Sequence, residues 1–295
     1  MPDTTVPPVL VAVVVTYSAG PRELGQCVAA LRSGGGVDRL IVVDTGGAAI
    51  VDDLPGSPPC EVIRTANRGY GAAANVGFAR AAALGADRVA LLNDDVVVRA
   101  GWTVPLLAAI EAAPEVGAAQ PKLLDAGTGL VNSLGVRVGP DGAGVDIGDG
   151  EADIAVASGT PATPIELFTG GAVMFTTGFL ADTGGFDERY FLYYEDVDLA
   201  RRGAARGWQY RLAADSVVEH ARGLSTGGDP GRTLWLQERN RLWAAFRFAG
   251  PATVGRALWL SVRRLRHEPR KVHARALLAG LRGAPSRLRE RVARR

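Results

Sequence analysis

Short apolar segments alternate with alanine-rich segments over the first hundred residues of this chain. Four of the apolar segments have the length and valine content typical of buried strands: VLVAVVVTY (9–17), RLIVVDTGG (39–47), CEVIRTA (60–66) and RVALLNDDVVV (88–98). Residues 22–34 and 69–86 lie between them and are typical of helices. Strands that alternate with helices pair in parallel, so the pattern predicts an α/β fold with a doubly wound, mostly parallel sheet flanked by helices.

Polar residues stand where each predicted strand ends. The four ends carry Thr16-Tyr17, Asp44, Asn67 and Asn93-Asp94-Asp95. In open α/β sheets, ligands bind outside the carboxyl ends of the strands. One polar strand end is routine, but four in register predict a binding site.

The rest of the chain is less regular until its helical end. Residues 125–165 are rich in glycine and predict a flexible excursion over the site, with a hairpin turning at Pro140-Asp141-Gly142. Strands are expected at 165–176 and, shorter, around 208–221. Helical patterns follow from residue 233, with basic amphipathic segments at about 252–266 and 271–294.

These patterns predict a catalytic domain followed by a basic helical extension. The domain spans residues 1–232, with a donor half at about 1–124 and an acceptor half at about 125–232, and the extension spans 233–295. From residue 251 onward, 13 Arg and Lys residues face only Glu268 and Glu290. This basic arm suits an anionic membrane surface, although a solvated helical face explains it equally well.

Composition excludes several classes of protein. With 47% hydrophobic residues the chain can bury a substantial core, and its near-balanced charge of +2 gives no reason to expect a nucleic-acid partner. Cys27 and Cys60 are too few for a disulfide framework and are not spaced for zinc. No apolar run is long enough to span a membrane, and VLVAVVV suits a strand better than a signal peptide. We therefore expect a reduced, cytoplasmic protein.

Two motifs in the donor half allow both a functional and a structural interpretation. Asp94 and Asp95 follow a strand and could hold Mg²⁺ or Mn²⁺ with phosphate oxygens, or simply form a capped turn. NRGYGAAANVGF (67–78) opens a helix whose N-terminus could hold anionic oxygens, or its glycines could allow close packing. Its spacing is not that of a dinucleotide fingerprint or a P-loop.

Two motifs in the acceptor half are similarly ambiguous. His220 could be a nitrogen ligand of the same metal or a structural histidine. In EDVDLARR (195–202), acidic residues complement a helix dipole and Asp198 can pair with Arg202. However, the aromatic run before it could desolvate Glu195 or Asp196 and raise the pKa of a carboxyl group toward the range of a general base.

Taken together, the motifs resemble those of the family 2 nucleotide-sugar glycosyltransferases with a GT-A fold, and especially their bacterial rhamnosyltransferase-like branch. The resemblance runs from residue 9 to about 248. It rests on seven pieces in order: VVVTY, IVVDTGG, NRGYGAAANVGF, LLNDDV, TGGAVMF, GGFDERYFLYYEDVDLARR and EHARGLSTG.

The resemblance implies a role for each matching position. It implies that the donor nucleotide is bound by Thr16, Tyr17, Asp44, Asn67, Gly69, Asn75, Asn93 and Asp94. It places the metal on Asp95 and His220, with Asn93 standing where the family more often has Asp. The acceptor side would comprise Gly170, Gly171 and Glu195, and Arg239 and Asn240 would reach the acceptor from the helical arm unless Arg239 is a surface residue.

The implied chemistry is a single inverting displacement in which Asp196 is the catalytic base. The donor would be a dTDP- or UDP-sugar, with L-rhamnose as one candidate, and the cofactor a divalent metal, Mg²⁺ or Mn²⁺. The partner would be a glycan or lipid-linked envelope acceptor, reached by peripheral attachment at the inner face of the plasma membrane. Two alternatives are a sugar-nucleotide nucleotidyltransferase, disfavoured because VVVTYSAGP lacks a cationic loop, and a non-catalytic nucleotide-sugar-binding protein, which would need no base.

Overall fold

A ten-stranded mixed sheet forms the centre of the molecule. The structure is a computed structural model that describes residues 8–17, 21–46, 56–221 and 229–292. The predicted strand end at Gly47 and residues 222–227 of the EHARGLSTG motif lie outside these ranges. The first six elements are β1 (Leu10–Thr16), α1 (Pro21–Gly34), β2 (Arg39–Asp44), β3 (Cys60–Arg64), α2 (Tyr70–Ala83) and β4 (Arg88–Asn93).

These six elements confirm the predicted parallel α/β half. The strands β4, β1, β2 and β3 are adjacent in that order and all pair in parallel. Every residue of β1 is buried, with Leu10, Ala12 and Val14 in one core cluster and Val11 and Val13 in the other. Both faces of the sheet are therefore covered, which explains why the strand is uninterruptedly apolar rather than alternating.

The structure differs from the sequence predictions where turns interrupt apolar runs. The predicted strand 88–98 breaks at Asp94-Asp95 into β4 and β5 (Val96–Val98). The structure then adds two elements that the sequence analysis did not predict, α3 (Thr103–Glu111) and β6 (Val116–Asp125). The first six residues of β6, VGAAQP, have small side chains and a proline instead of a β-branched run, so its pattern gives only a weak strand signal.

The glycine-rich middle of the chain contains short strands around the predicted hairpin. These are β7 (Val131–Ser133), β8 (Val136–Val138), β9 (Gly144–Asp146) and β10 (Thr163–Ile165). The predicted turn is confirmed, because β8 and β9 pair antiparallel around it and Gly139 donates its N–H to Ala143 O at 2.7 Å. The predicted strand 165–176 is wrong as a single element, since β10 ends before the glycine turn at 170–171 and β11 (Ala172–Thr176) begins after it.

The second half of the sheet is completed by antiparallel β11 and a long strand. The elements are α4 (Thr177–Thr183), a 3-10 turn (Glu188–Tyr190), α5 (Glu195–Ala204) and β12 (Gln209–His220). The strand β12 is twelve residues long, not short, and it continues through a register shift between Ala213 and Val217. Its carboxyl end pairs with β5, which brings His220 beside the turn that carries Asp94 and Asp95.

Three helices close the described chain, as the sequence predicts. They are α6 (Pro230–Phe248), α7 (Pro251–Arg264) and α8 (Arg270–Val292). Asp229 caps α6 by accepting a hydrogen bond from the N–H of Arg232 at 3.0 Å, so this helix starts before the boundary expected at 232/233. The division into two domains stays a prediction. None of the described helices is long and apolar enough to cross a membrane.

Candidate functional site

A cavity of about 700 Å³ opens at the carboxyl ends of the parallel strands. It lies where the four polar strand ends were expected to meet. Parallel register explains the convergence, because Thr16 is the direct partner of Asp44 and Val15 is the partner of Asn93. Eleven of the predicted site residues line the cavity: Tyr17, Asn67, Gly69, Asn93, Asp94, Asp95, Gly170, Gly171, Glu195, Asp196 and His220.

Five predicted site residues do not line the cavity. Thr16 and Asp44 are buried just behind its edge, where Asp44 Oδ1 accepts a hydrogen bond from the N–H of Gly46 at 2.9 Å. Asn75 bridges α2 to the segment before α5, because its Nδ2 donates to Phe186 O at 3.0 Å and its Oδ1 accepts from Phe186 N at 2.9 Å. The roles proposed for these residues at the nucleotide stay predictions.

The other two residues outside the cavity lining are Arg239 and Asn240, both buried in α6. The Asn240 amide donates to the carbonyl oxygens of Leu192 and Tyr193 at 2.8 and 2.7 Å, and Arg239 Nη2 donates to Tyr190 O at 2.6 Å. Their polar groups therefore bind the backbone of the aromatic run. Direct contact of either residue with an acceptor stays a prediction.

The two predicted metal ligands face each other across the strand ends. Asp95 Oδ1 lies 3.1 Å from His220 Nε2, and Asn93 Nδ2 lies 3.4 Å from the same nitrogen. The other ring nitrogen, His220 Nδ1, lies 2.9 Å from Asn132 Oδ1. Because an amide oxygen can only accept, Asn132 assigns the proton to Nδ1 and leaves the Nε2 lone pair directed at Asp95.

This arrangement fits a divalent cation that shares its coordination with a ligand. A histidine nitrogen and a carboxylate oxygen are suitable donors for Mn²⁺. The Asn132 oxygen at Nδ1 can hold the ring as the carboxylate or carbonyl partners of metal-bound histidines usually do. Within the described ranges there is no cluster of three or more His, Cys, Asp or Glu side chains that could hold a metal alone. A cation here would therefore take its remaining ligands from phosphate oxygens and water. Asn132 was missed by the sequence analysis because it lies in the irregular glycine-rich stretch.

The aromatic run bends sharply before it delivers the acidic residues. Phe191, Tyr193 and Tyr194 adopt positive φ values of 70°, 67° and 69°, which are rare for bulky residues. The bend starts α5 at Glu195 and directs its first turn toward the cavity. The Tyr194 hydroxyl accepts a hydrogen bond from the N–H of Gly144 at 3.2 Å, which joins the β8–β9 hairpin to the bend.

The first two acids of α5, the buried Glu195 and the half-buried Asp196, differ in their partners. Asp196 Oδ2 accepts from Gly170 N at 2.9 Å and its Oδ1 accepts from its neighbour Val197 N at 2.7 Å. Glu195 Oε2 is buried and has no hydrogen-bond partner within the described part of the chain. Burial raises the pKa of both carboxyl groups; the charge of Asp196 raises the pKa of Glu195 further, while the two backbone N–H groups oppose the rise for Asp196.

The third acid, Asp198, has the structural role that the sequence allowed. Its Oδ2 accepts from Arg202 Nε at 2.7 Å, which confirms the predicted i,i+4 pair. Its Oδ1 also pairs with Arg247 of α6. Asp198 is fully buried, so it is a structural anion inside the helix packing and is not presented to the cavity.

The glycine loop serves close packing against the acidic bend. A Cβ at Gly69 would overlap the backbone of Phe191, and one at Gly71 would lie 2.9 Å from the Cβ of Phe186. Between these glycines, the Tyr70 hydroxyl donates to Gly170 O at 2.7 Å. Tyr70 thus links the loop to the strand break that also holds Asp196, a contact that the sequence did not indicate.

Comparison with known proteins supports the assignment of this chain as a glycosyltransferase. Residues 11–127 match the family model described as Glycosyl transferase family 2. Over 71 residues, the chain is 38% identical to the N-acetylglucosaminyl-diphospho-decaprenol L-rhamnosyltransferase of two Mycobacterium tuberculosis strains. That match covers 24% of this chain, and the chain spans only 23% of the length of these curated relatives.

Solved glycosyltransferases share the fold over nearly the whole chain. GalNAc-T7, solved with UDP, GalNAc and Mn²⁺, is similar with a TM-score of 0.67 at 12% identity, over 97% of this chain and 57% of that one. A Pyrobaculum calidifontis mannosyltransferase with GDP-Man and Mn²⁺ has a TM-score of 0.53 at 16% identity, over 97% and 89%. Staphylococcus aureus TarS 1-349 has a TM-score of 0.57 at 12% identity, over 96% and 82%. Residues 11–127 thus belong to glycosyltransferase family 2, and the described chain has the fold of the GT-A glycosyltransferases.

Proposed function

We propose that this protein is an inverting, metal-dependent glycosyltransferase that moves a sugar from a nucleoside diphosphate to a hydroxyl group of a glycan, glycolipid or other envelope acceptor. One observation carries the proposal. The carboxyl groups of Glu195, which is buried, and Asp196, which is half-buried, line the same cavity as Asp95 and His220, which stand at the strand ends. A non-catalytic nucleotide-binding protein would have no use for the first pair.

The strand-end side of the cavity is the proposed donor site. The Tyr17 ring is 40% exposed at the cavity edge, where a nucleobase could stack on it, and Thr16 and Asp44 lie directly behind it. The donor we propose is a dTDP- or UDP-sugar. L-Rhamnose is the first sugar to test, because the curated relatives are named as L-rhamnosyltransferases.

Asp95 and His220 would hold the divalent cation, Mg²⁺ or Mn²⁺, with Asn132 fixing the orientation of the histidine ring. When bound, such a cation supplies Lewis-acid neutralisation of the charge on a departing diphosphate. Two of the solved neighbours contain Mn²⁺ together with a nucleotide or nucleotide sugar, which agrees with this assignment.

Asp196 is the proposed general base. Its carboxylate takes the proton of the acceptor hydroxyl while that oxygen attacks the anomeric carbon, and the bond from that carbon to the diphosphate oxygen breaks. The backbone N–H groups of Gly170 and Val197 fix the Asp196 carboxylate, and each of its oxygens keeps a further lone pair for the proton. Attack from the side opposite the leaving group inverts the anomeric configuration.

Glu195 is proposed to bind the acceptor rather than to take its proton. Its carboxyl group is more strongly biased toward the protonated form, because burial and the neighbouring Asp196 charge both raise its pKa. A protonated carboxyl group can donate a hydrogen bond to an acceptor hydroxyl. Environments that separate the behaviour of two adjacent acids are the usual way to assign different roles to them.

The basic arm supports peripheral attachment to a membrane that carries a lipid-linked acceptor. Its exposed apolar side chains include Trp259 of α7, which is 61% exposed, and Leu278, Leu281 and Leu288 of α8. Arg263 lies over the Trp259 ring at 5.3 Å, so cationic and apolar groups share this surface. Such a surface suits the headgroup region of an anionic bilayer at the inner face of the plasma membrane.

Vesicle flotation tests this attachment with surface substitutions. Trp259→Ser and Leu281→Ser should lower binding to vesicles that contain phosphatidylglycerol, while Val104→Ser, which changes an exposed valine of α3, should not. Equal binding by all variants and the unaltered protein would overturn the membrane proposal.

The activity itself is tested by offering dTDP-L-rhamnose and UDP-sugars, with Mn²⁺ or EDTA, to a synthetic lipid-diphosphate-linked N-acetylglucosamine. Metal-dependent transfer with an inverted anomeric centre, read by NMR, is the expected result. Asp196→Asn should lower kcat by roughly 10²–10⁴-fold and leave nucleotide binding unchanged. Equal turnover by Asp196→Asn would remove that residue as the base, and nucleotide binding without transfer to any acceptor would favour a non-catalytic protein.

A further inference from the structure

The bend that precedes the acidic pair depends on contacts from far along the chain. Three of its residues, Phe191, Tyr193 and Tyr194, have positive φ values. Conformations of this kind persist only where the surrounding structure holds them in place. The orientation of Glu195 and Asp196 therefore depends on whatever holds residues 186–194.

Helix α6 holds the backbone of the bend. As described above, Asn240 and Arg239 donate hydrogen bonds to carbonyl oxygens of residues 190–193. Arg239 is itself held from both sides, because its guanidinium lies 4.6 Å from the Trp235 ring and 4.3 Å from the Trp243 ring. The bend is thus attached to a helix that begins 36 residues after Tyr194.

Helix α8 reaches the same bend through a buried arginine. Arg287 is 2% exposed, and its guanidinium lies 4.9 Å from the Tyr190 ring and 4.5 Å from the Trp243 ring. Its Nη1 donates to Asp187 Oδ2 at 2.7 Å and lies 3.4 Å from Glu290 Oε2. A buried arginine between two aromatic rings and two carboxylates is unlike the exposed arginines on the outer face of α8.

Glu290 extends this contact to both sides of the bend. Its Oε1 accepts from Arg189 Nη1 at 2.7 Å, and its Oε2 lies 3.0 Å from Arg247 Nε. Arg247 in turn pairs with Asp187 at 3.0 Å and with Asp198 of α5. A continuous set of ion pairs therefore runs from the last helix to the helix whose first turn carries Glu195 and Asp196.

We propose that Arg287 and Glu290 of α8 are positioning residues for the acidic pair, Glu195 and Asp196. The helical extension then completes the active site in addition to providing the proposed membrane-binding surface. This inference rests on the proposed function for its catalytic consequence. Its structural consequence does not, since the ion pairs should order residues 186–197 whatever the protein catalyses.

The test compares Arg287→Met with Arg282→Met in the full-length protein. Arg282 is an exposed arginine of the same helix, so its replacement removes an equal charge without removing a buried contact. Hydrogen exchange of residues 186–197 should become at least tenfold faster in Arg287→Met and stay unchanged in Arg282→Met. In Arg287→Met, kcat should fall roughly 10–100-fold, with nucleotide affinity within twofold, because small misplacements of catalytic groups have effects of this size.

Two further variants distinguish positioning from general loss of folding. Arg287→Lys keeps a cation facing Asp187 and should recover part of the lost kcat. Glu290→Gln removes only one carboxylate and supplies the comparison if Arg287→Met fails to fold.

Unchanged exchange and unchanged kcat in Arg287→Met, or a lowered melting temperature with unchanged kcat, would overturn the proposal. If Arg287→Met exchanges faster but neither it nor the unaltered protein transfers sugar, Arg287 and Glu290 still order the bend and the proposed function is rejected.

Discussion

The two sides of the cavity are built in different ways. On the donor side, Thr16, Asp44 and Asn93 stand at strand ends, and the register of a parallel sheet brings them together. On the acceptor side, Glu195 and Asp196 follow a bend whose positive φ values are unfavourable by themselves. Buried side chains from α6 and α8 hold this bend in place.

This difference separates two kinds of dependence on the chain. The donor side depends on repetitive backbone pairing and on apolar burial that no single residue dominates. The acceptor side depends on a few charged contacts between residues about 50 to 100 positions apart. Removal of a buried charged contact on the acceptor side should therefore cost more stability than a packing change on the donor side, a contrast that Asp198 and Gly77 test directly.

The largest effect is expected at Asp198. Asp198→Asn removes the buried carboxylate that pairs with Arg202 and Arg247, and it leaves two buried guanidinium groups with less compensation. Breaking a buried ion pair on one side typically costs about 3–5 kcal/mol. Urea unfolding should show a loss of free energy of unfolding of this size. The exposed pair of Arg80 and Glu61 supplies the control, since Glu61→Gln should cost less than about 1 kcal/mol.

The next largest effect is expected at Asn132. Asn132→Ala removes the acceptor that holds His220 Nδ1, so the ring loses its fixed tautomer and orientation. Loss of such an outer partner typically weakens metal binding 10–100-fold. Mn²⁺ titration in the presence of a nucleoside diphosphate, followed by electron paramagnetic resonance, measures this. Asn132→Asp, which keeps an acceptor oxygen, should bind more tightly than Asn132→Ala, and equal affinity of all three proteins would contradict the assignment.

The sequence predicted the donor side of the cavity better than the acceptor side. The strands β1 to β4 and the convergence of Tyr17, Asn67 and Asp95 followed from local patterns, because parallel pairing places successive strand ends at one edge. The acidic residues were recognisable as a motif, yet the contacts that orient them were not. Arg287 appeared as one more charge of a basic arm, since no local pattern marks an arginine that is buried against Tyr190, nearly a hundred residues earlier.

The limits of the prediction have particular physical causes. Asn132 lies in a glycine-rich stretch where periodicity is weak, so its contact with His220 could only be seen in three dimensions. Arg239 and Asn240 were expected to reach the acceptor from the base of the basic arm, and that contact stays a prediction. Their hydrogen bonds to the backbone of the aromatic run join residues about 50 positions apart, so no local pattern could indicate them. The break of 88–98 at Asp94 arises because Val96 pairs with His220 of β12 rather than continuing beside β1.

A smaller effect is expected for a packing change on the donor side. Gly77 of α2 lies so close to β1 that an added Cβ would overlap the side chain of Val13. Overpacking costs about 1–3 kcal/mol, and the better helix propensity of alanine offsets up to about 1 kcal/mol. Gly77→Ala should therefore destabilise the protein by about 1–2 kcal/mol in urea unfolding. Gly25→Ala in α1, where no atom lies within 4 Å of the added Cβ, should be neutral or stabilising.

The smallest expected effect is a shift in pH dependence through Asp146. This residue of β9 lines the cavity, and its negative charge adds to the effect of burial in raising the pKa of Asp196. A general base acts when ionised, so kcat/KM should rise with pH through the pKa of Asp196. Asp146→Asn removes a neighbouring negative charge, which lowers that pKa and should move the acid limb to lower pH by less than about one pH unit.

Asp149 provides the matched control for this shift. It lies on the same segment three residues later and does not line the cavity, so Asp149→Asn should leave the acid limb in place. The shift in Asp146→Asn should also shrink at high salt, because charges that face solvent are screened. A shift to higher pH, or an equal shift in both variants, would mean that the acid limb does not report a base beside Asp146. The acidic bend would then have to be assigned to binding the acceptor rather than to deprotonating it.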